Sequence, residues 1–171
     1  VIETNMSPVM KKFLWEGKGE KANPARAKEI VEKKGLLPMH FTIKVPNSSK
    51  MYLDTAQALR EQLKEAGIQV DLETIEWASW LSDVYTNRKY VASLAGLSGK
   101  MEPDAILRRY TSTYKKNFTN FHNDNYDKLV AEAKLSADEK VQIHNYKEAE
   151  KILREEQAAV FLMDPDSIIA M

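Results

Sequence analysis

The sequence contains no cysteine among its 171 residues. Disulfide bonds, thiolate nucleophiles and cysteine-ligated metal sites are therefore excluded, whereas the absence does not distinguish an oxidising compartment from a reducing one. A net charge of one sign is absent as well, because 25 lysines and arginines balance 25 aspartates and glutamates. This balance removes the usual electrostatic argument for binding nucleic acid or an anionic membrane surface.

Long apolar runs and leader-like patterns are also missing. No apolar stretch approaches the ~18 residues that span a bilayer, and the first residues lack the charged, apolar and small-residue pattern of a signal peptide. The sequence opens on Val1 without a methionine and stops inside an apolar run at residues 168–171. We therefore expect a segment of a longer protein.

Sequence signatures of several enzyme classes are absent. There is no G-x-S-x-G elbow, no phosphate-binding P-loop and no G-x-G-x-x-G fingerprint. The histidines His40, His122 and His144 fall on different predicted elements and show no metal-ligand spacing. Residues 122–127 are rich in oxygen donors but lack the glycine and glutamate of a calcium loop, so helix capping explains them better. We expect no enzyme activity, no metal site and no cofactor.

What the sequence does contain is the pattern of an α/β domain. It is 43% hydrophobic and 29% charged, and it is long enough for one sizeable core. Alternating apolar residues predict strands at residues 40–45 and 68–72, and the apolar run at residues 90–97 predicts a strand covered on both faces. Helical spacing at residues 52–66 and 77–84 connects them. The order βαβαβ predicts a parallel sheet flanked by helices.

Further helices are predicted on both sides of this core. Asn23 and Pro24 predict the start of a helix that Gly35 ends, and Ser136–Glu139 matches a capping box. Helices are expected from Pro103, at residues 126–135 and from the capping box to about residue 157, and strands at residues 158–163 and from residue 168. The predicted organisation is an irregular connecting segment at residues 1–22, a ligand-binding lobe at 23–163 and the start of a return strand at 164–171.

The position of three loops predicts a ligand site, because ligands of open parallel sheets bind beyond the carboxyl ends of the strands. These loops are residues 46–49, the joint Glu76–Trp77 and residues 98–104. Each precedes a helix, whose N-terminus attracts anions, although a plain N-cap also explains the first loop and a turn with Pro103 as a helix start also explains the third. Trp77 and Trp80 suit either an aromatic ligand wall or packing on the sheet, and their i,i+3 spacing favours packing. The candidate ligand-binding residues are Asn47, Ser48, Trp77, Ser98, Gly99, Lys100, Met101, Glu102 and Asp104.

Several short motifs occur in the order and spacing of one protein family. They are N-P-A-R-A-K-E at residues 23–29 followed by Gly35, A-x-x-L-x-x-x-L-K-x-x-G-I-x-V at 56–70, E-W at 76–77, G-x-x-x-x-x-E-P-D at 96–104, N-F at 120–121 leading to Asp127, and Y-K-E-A-E-K-I-L at 146–153. Over about residues 20–163 the sequence resembles the family 5 extracellular solute-binding proteins, which are the peptide- and nickel-binding subunits of ABC importers.

The resemblance implies a fold of two lobes joined by hinge strands that close on a solute. This chain resembles the second lobe, with a periplasmic-binding-protein-like type II fold, a βαβαβ core and extra C-terminal helices. The implied partners are a small solute (peptide favoured), an ABC permease and the first lobe of the same protein, with no nucleic acid. The implied location is extracytoplasmic, in the periplasm or lipid-anchored at the cell surface. A sensory ligand-binding domain is an alternative, and a small α/β enzyme is less favoured.

Two departures from the family pattern bear on the ligand. Peptide-binding members place an aspartate where Gly99 stands, and dipeptide binders place an arginine after the first strand, where this sequence has residues 45–47. A free dipeptide clamped at both ends is therefore disfavoured, because its charges would lack partners in a closed cleft. Longer peptides, a glycan or a metal chelate remain open. Lys100 can pair with an anionic ligand group, although an exposed lysine needs no such role.

Overall fold

The computed structural model describes residues 2–17, 19, 21–98 and 100–164, and the chain divides into two units. Glu20–Leu97 forms the sheet unit. Val1–Gly19 and Ser98–Met171 together form the helical unit. No helix in the described part of the chain is long and apolar enough to cross a membrane.

The sheet unit alternates helices and strands in the predicted order. Its elements are α1 (Pro24–Lys33), β1 (Met39–Pro46), α2 (Lys50–Glu65), β2 (Ile68–Ile75), α3 (Trp77–Trp80), a π-helical turn that continues α3 (Leu81–Thr86), and β3 (Ala92–Ser93). β1 pairs in parallel with β2 on one side and with β3 on the other, which gives the strand order β2-β1-β3. The predicted βαβαβ order and parallel sheet are confirmed.

Capping side chains and glycines determine where α1 and α2 begin and end. The side chains of Asn23 and Ser49 accept hydrogen bonds from backbone amides of the first turn, at 3.0 and 3.2 Å. Gly35 and Gly67 follow the two helices with φ of +65° and +79°. Glycine adopts this left-handed conformation without the steric cost that other residues meet. The helix stops predicted at both glycines are confirmed.

Apolar residues of α2, of the segment after β2 and of β1 form the core of the sheet unit. Val45 and Ala56 are 1% and 0% exposed, and Trp80 and Val84 are 2% and 0% exposed. Each large apolar side chain buried in this way contributes roughly 1.5–3 kcal/mol. This core holds the carboxyl ends of β1 and β2 in a defined place.

The third strand is shorter and more exposed than predicted. Only Ala92 and Ser93 belong to β3, and they pair with Ile43 and Lys44 at the edge of the sheet. Val91 is 78% exposed. The prediction of a strand covered on both faces at residues 90–97 is wrong, because an apolar run fixes neither how many of its residues pair with a neighbouring strand nor how deeply they are buried.

The helical unit contains the remaining elements. They are a 3₁₀ helix (Pro8–Phe13), α4 (Pro103–Leu107), a 3₁₀ turn (Arg108–Tyr110), α5 (Asp124–Leu135) and α6 (Glu139–Glu155). α5 and α6 pack side by side, and Leu107, Tyr126, Ala149 and Leu153 are 0% exposed in the shared core. The helices predicted from Pro103, at residues 126–135 and up to about residue 157 are confirmed in position.

The N-terminal segment contributes to the core of the helical unit. Met6, Met10 and Phe13 are buried there, and the ring of Phe13 meets Tyr146 edge-on with centroids 5.8 Å apart. The expectation of an irregular segment is wrong for Pro8–Phe13, because apolar residues at helical spacing can be buried by a short 3₁₀ helix. The predicted boundaries of a ligand-binding lobe at residues 23 and 163 stay a prediction.

Two local predictions in the helical unit fail. Asp138, not Ser136, caps α6, because its carboxylate accepts the Lys140 amide at 2.8 Å. Residues 158–163 form no strand; Phe161 instead packs edge-on against Tyr110, with centroids 6.3 Å apart. An apolar run does not by itself specify a strand: Ala158, Ala159 and Phe161 are partly buried against the helical core, whereas Val160 is 68% exposed. The strand predicted from residue 168 lies outside the described residues.

Candidate functional site

The carboxyl ends of β1 and β2 bring together the first two predicted loops. The Asn47 side-chain amide donates to the Glu76 carboxylate at 2.6 Å, and the Asn47 backbone amide donates to the carbonyl of Ile75 at 2.9 Å. Asn47 and Ser48 are exposed, while Ser49 caps α2. The sheet unit therefore presents an amide, a carboxylate and a hydroxyl at the point where α2 begins.

The two tryptophans of α3 have different environments. Trp80 is 2% exposed and its indole N–H donates to the Ser93 hydroxyl at 2.9 Å, so this ring anchors α3 on the sheet. Trp77 is 40% exposed and stacks on Trp80 with centroids 4.9 Å apart and an interplanar angle of 3°. The packing interpretation is thus right for Trp80, whereas Trp77 presents an aromatic surface to solvent.

Ser93 is a polar link that sequence reasoning missed as part of this region. Its hydroxyl donates to the carbonyl of Lys44 at 2.6 Å and accepts the Trp80 indole N–H. The Lys44 side chain is 18% exposed and lies between the carboxylates of Glu73 (3.8 Å) and Asp83 (3.7 Å). The available signal was that Ser93 is the one polar residue in the apolar run at residues 90–97.

Ser93→Ala is expected to lower the free energy of unfolding of the sheet unit by about 1–3 kcal/mol. The change removes the hydroxyl that accepts the buried indole N–H of Trp80 at 2.9 Å and donates to the carbonyl of Lys44 at 2.6 Å, and the loss of buried hydrogen bonds costs about that much. Urea unfolding followed by tryptophan fluorescence measures the effect, with the exposed Ser82→Ala as the matched control. Equal unfolding midpoints for the two variants would contradict the role given to Ser93.

The third predicted loop, at residues 98–104, belongs to the helical unit. Asp104 is in the first turn of α4, is 18% exposed and lies 3.8 Å from Arg108 and 3.9 Å from Lys134. Its charge is therefore compensated within the unit. Lys100 and Glu102 are exposed, Met101 is 77% exposed, and Gly99 lies outside the described residues.

Two further side chains hold the backbone next to this loop and were not predicted as functional. The Tyr52 hydroxyl accepts a hydrogen bond from the Gly96 amide at 3.0 Å, within the sheet unit. The Arg109 guanidinium donates to the carbonyl of Ser98 at 2.8 Å, within the helical unit. Tyr52 had been counted only as an apolar position of α2, and no sequence pattern pointed to Arg109.

The described residues also contain a surface depression away from the predicted loops, and they contain no cluster of metal-ligating side chains. An open depression of about 540 Å³ lies between the end of α2 and the start of β2, lined by residues that include Arg60, Lys64 and Gly67. It is at the amino end of β2, whereas the predicted loops follow the carboxyl ends. Within the described ranges, no group of three or more His, Cys, Asp or Glu side chains is placed to hold a metal ion.

Comparison with known proteins identifies the family of this chain. The family model described as bacterial extracellular solute-binding proteins, family 5 Middle, matches residues 2–118. The chain belongs to this family. The resemblance carried by the sequence motifs is therefore confirmed.

Individual relatives in the family 5 solute-binding proteins are peptide binders by name. The chain is 31% identical over 134 residues to the oligopeptide-binding protein AppA of Bacillus subtilis, covering 77% of this chain and 25% of AppA. It is 29% identical over 136 residues to the periplasmic murein peptide-binding protein MppA of Escherichia coli, again covering 77% and 25%. The chain thus spans about a quarter of the length of these relatives.

A solved structure supports the same fold. The structure of the murein tripeptide-binding protein MppA of Escherichia coli superposes with a TM-score of 0.78 at 26% identity, covering 89% of this chain and 31% of that protein. The α/β fold with a parallel sheet flanked by helices, predicted as periplasmic-binding-protein-like, is confirmed.

Proposed function

We propose that this chain forms part of the solute site of an extracytoplasmic binding protein and contacts a peptide-like solute. The observation that carries the proposal is the carboxyl edge of the sheet, where the Asn47–Glu76 hydrogen bond, the N-terminus of α2 and the exposed ring of Trp77 follow adjacent strands. Ligands of open parallel sheets bind at this edge. The relatives AppA and MppA bear peptide-binding names.

The chemistry of this edge suits a peptide backbone with mixed side chains. The Asn47 amide and the Ser48 hydroxyl can hydrogen bond to main-chain groups of a solute, and the N-terminus of α2 favours a carboxylate. The flat ring of Trp77 offers apolar contact area with little loss of conformational entropy. A site of this kind binds and orients a solute, and no chemical step is part of the proposal.

The proposal also includes residues of the predicted loop in the helical unit. We include Ser98, Gly99, Lys100, Met101 and Glu102, with Lys100 as the partner of an anionic solute group. Asp104 completes the predicted set, and its pairing with two cations favours a contribution to loop structure over direct charge recognition.

The proposed mechanism is capture by closure followed by delivery. Two lobes joined by a hinge would close over the solute, exclude water and present it to an ABC permease outside the cytoplasm. The first lobe of the same protein and the permease are the proposed partners, and no cofactor is required.

Isothermal titration calorimetry of the complete gene product that carries this sequence tests the proposal. The titrants are alanine peptides of increasing length, malto-oligosaccharides and a nickel–histidine chelate. Saturable binding of peptides is the expected result. Binding of only the sugar or only the chelate would show that the solute is not a peptide. Turnover of a substrate without solute binding would overturn the proposal.

Lys100→Ala is expected to weaken the binding of peptides with a free carboxylate by about two- to fivefold, because an ion pair made by an exposed lysine contributes up to about 1 kcal/mol. Gly99→Asp is expected to strengthen binding of peptides with a free amino group. Titration calorimetry measures both, and Lys28→Ala on the exposed face of α1 is the matched control. Unchanged affinity in both variants would remove this loop from the site.

A further inference from the structure

We propose that Tyr52 and Arg109 are positioning residues that hold the backbone at Gly96 and at Ser98, respectively, in the conformation that receives the solute. The inference rests on the proposed function, because Ser98 to Met101 belong to the proposed contacts. Both side chains act on backbone groups next to the site, and neither is assigned as a direct contact of the solute.

The stretch has a particular need for such support. From Leu94 to Glu102, the described residues contain no helix or strand. In regular elements the backbone ladder holds each peptide group, whereas in a loop side chains or water must do so. A loop that is ordered before binding loses less conformational entropy when the solute arrives, so support of this kind raises affinity.

Tyr52 supplies the first point of support. It lies in the first turn of α2, and its hydroxyl accepts the Gly96 amide at 3.0 Å. A Cβ atom at Gly96 would lie 2.5 Å from the hydroxyl oxygen and 3.5 Å from the Cζ carbon of Tyr52. A side chain at position 96 would therefore displace the Tyr52 hydroxyl. Glycine at this position allows the hydroxyl to approach the Gly96 amide.

Arg109 supplies the second point. It follows α4 in the 3₁₀ turn Arg108–Tyr110, and its guanidinium donates to the carbonyl of Ser98 at 2.8 Å. The acceptor is uncharged, so the contact fixes geometry and does not neutralise a charge. A guanidinium presents its donors in a rigid plane. Arg109 therefore fixes the direction of the Ser98 carbonyl more closely than the ammonium group of a lysine would.

Amide hydrogen exchange tests the positioning without any solute. Tyr52→Phe is expected to speed exchange of the Gly96 amide about three- to tenfold, corresponding to the loss of one hydrogen bond. Arg109→Ala is expected to speed exchange across residues 94–102. Tyr114→Phe and Arg26→Ala, which lie outside this stretch, are the matched controls. Exchange that stays at the wild-type rate in both test variants would overturn the positioning role.

A pair of substitutions tests the close approach at Gly96. Gly96→Ala is expected to speed exchange in the stretch because the new methyl group displaces the Tyr52 hydroxyl. In the double variant Gly96→Ala/Tyr52→Phe, the clash is removed but the hydrogen bond is still missing, so exchange should equal that of Tyr52→Phe alone. A double variant whose exchange is faster by the product of both single effects would show that the two residues act independently, against the proposal.

The link to solute binding is tested in the complete gene product with the alanine peptide that binds the wild type most tightly. Tyr52→Phe and Arg109→Ala are each expected to weaken binding about three- to tenfold, through faster dissociation and with an unchanged thermal midpoint. Arg109→Lys should restore part of the loss, and the loss should be the same at low and high salt because the acceptor is neutral. A lowered thermal midpoint that accounts for the loss would instead indicate a structural role and overturn the inference.

The outcomes separate this inference from the proposed function. If the wild type binds no peptide, the proposed function fails, and Tyr52 and Arg109 then have no role in peptide binding. The hydrogen-exchange rates still decide whether the two side chains order the loop. If the wild type binds peptide and both variants bind it equally well, only the inference fails.

Discussion

Glu150→Gln is expected to raise the free energy of unfolding at about pH 8 by up to about 3 kcal/mol and to leave it nearly unchanged at about pH 4. Glu150 is 0% exposed in the core of the helical unit. Burial raises the pKa of its carboxyl from 4.5 to about 7, against hydrogen bonds from Trp15, Thr4 and Met6 and the charge of Lys147, all of which lower it.

The direction of this change in stability depends on the protonation state of Glu150 that the folded chain favours. Because the pKa of Glu150 is higher in the folded state, its contribution to stability is fully present below pH 4.5 and is lost as the pH rises to about 7. One carboxylate oxygen accepts the Trp15 amide at 2.6 Å, and the side chain is fully buried. Glutamine keeps the acceptor for Trp15 and removes the cost of a buried charge.

Urea unfolding of the wild type and Glu150→Gln across this pH range measures the prediction. The difference between the two curves isolates the one carboxyl from the other acidic groups of the chain. Glu155→Gln, an exposed change on the same helix, is the matched control and should show no such difference. Parallel curves for wild type and Glu150→Gln between pH 4.5 and about 7 would refute the role of this carboxyl.

Leu153→Ala is expected to lower the free energy of unfolding of the helical unit by about 2–5 kcal/mol. Leu153 lies on α6, is 0% exposed and packs in the core that joins α4, α5, α6 and the N-terminal segment. Truncation removes the transfer free energy of the buried methyl groups and leaves a cavity that close-packed neighbours fill only in part.

Circular dichroism of urea unfolding tests this prediction, because α5 and α6 of the helical unit contribute 12 and 17 residues to the helical signal. Leu135→Ala is the matched control: Leu135 ends α5 and is 85% exposed, and exposed substitutions usually change stability by less than about 0.5 kcal/mol. Similar effects at the two leucines would contradict the placement of Leu153 in the core.

The elements that the sequence predicted well are those with local causes. The start of α1 at Pro24 follows from the Asn23 cap, and the ends of α1 and α2 follow from Gly35 and Gly67. These signals act between residues a few positions apart, so they can be recognised without knowledge of the rest of the fold. The cap of α6 was misplaced because Ser136 and Asp138 are both good capping residues and only packing selects between them.

The sequence predicted which loops form the candidate site, but it did not predict the side-chain contacts within them. The rule for parallel sheets predicts a site at the ends of β1 and β2, but it does not distinguish Trp80, which is buried, from Trp77, which is half-exposed. The contacts of Tyr52 with Gly96 and of Arg109 with Ser98 join residues 44 and 11 positions apart. No periodicity or motif encodes contacts of this kind.

The sequence by itself determined the order of strands and helices between residues 24 and 93, the parallel sheet and the family, because hydrophobic periodicity, helix caps and spaced motifs are properties of neighbouring residues. Only the tertiary structure decided that β3 is a short edge strand, that Ala158, Ala159 and Phe161 pack against helices and that Glu150 is buried with an elevated pKa. These features depend on which distant segments meet, and the free energy of burial is the same for an apolar side chain whether a strand or a helix covers it.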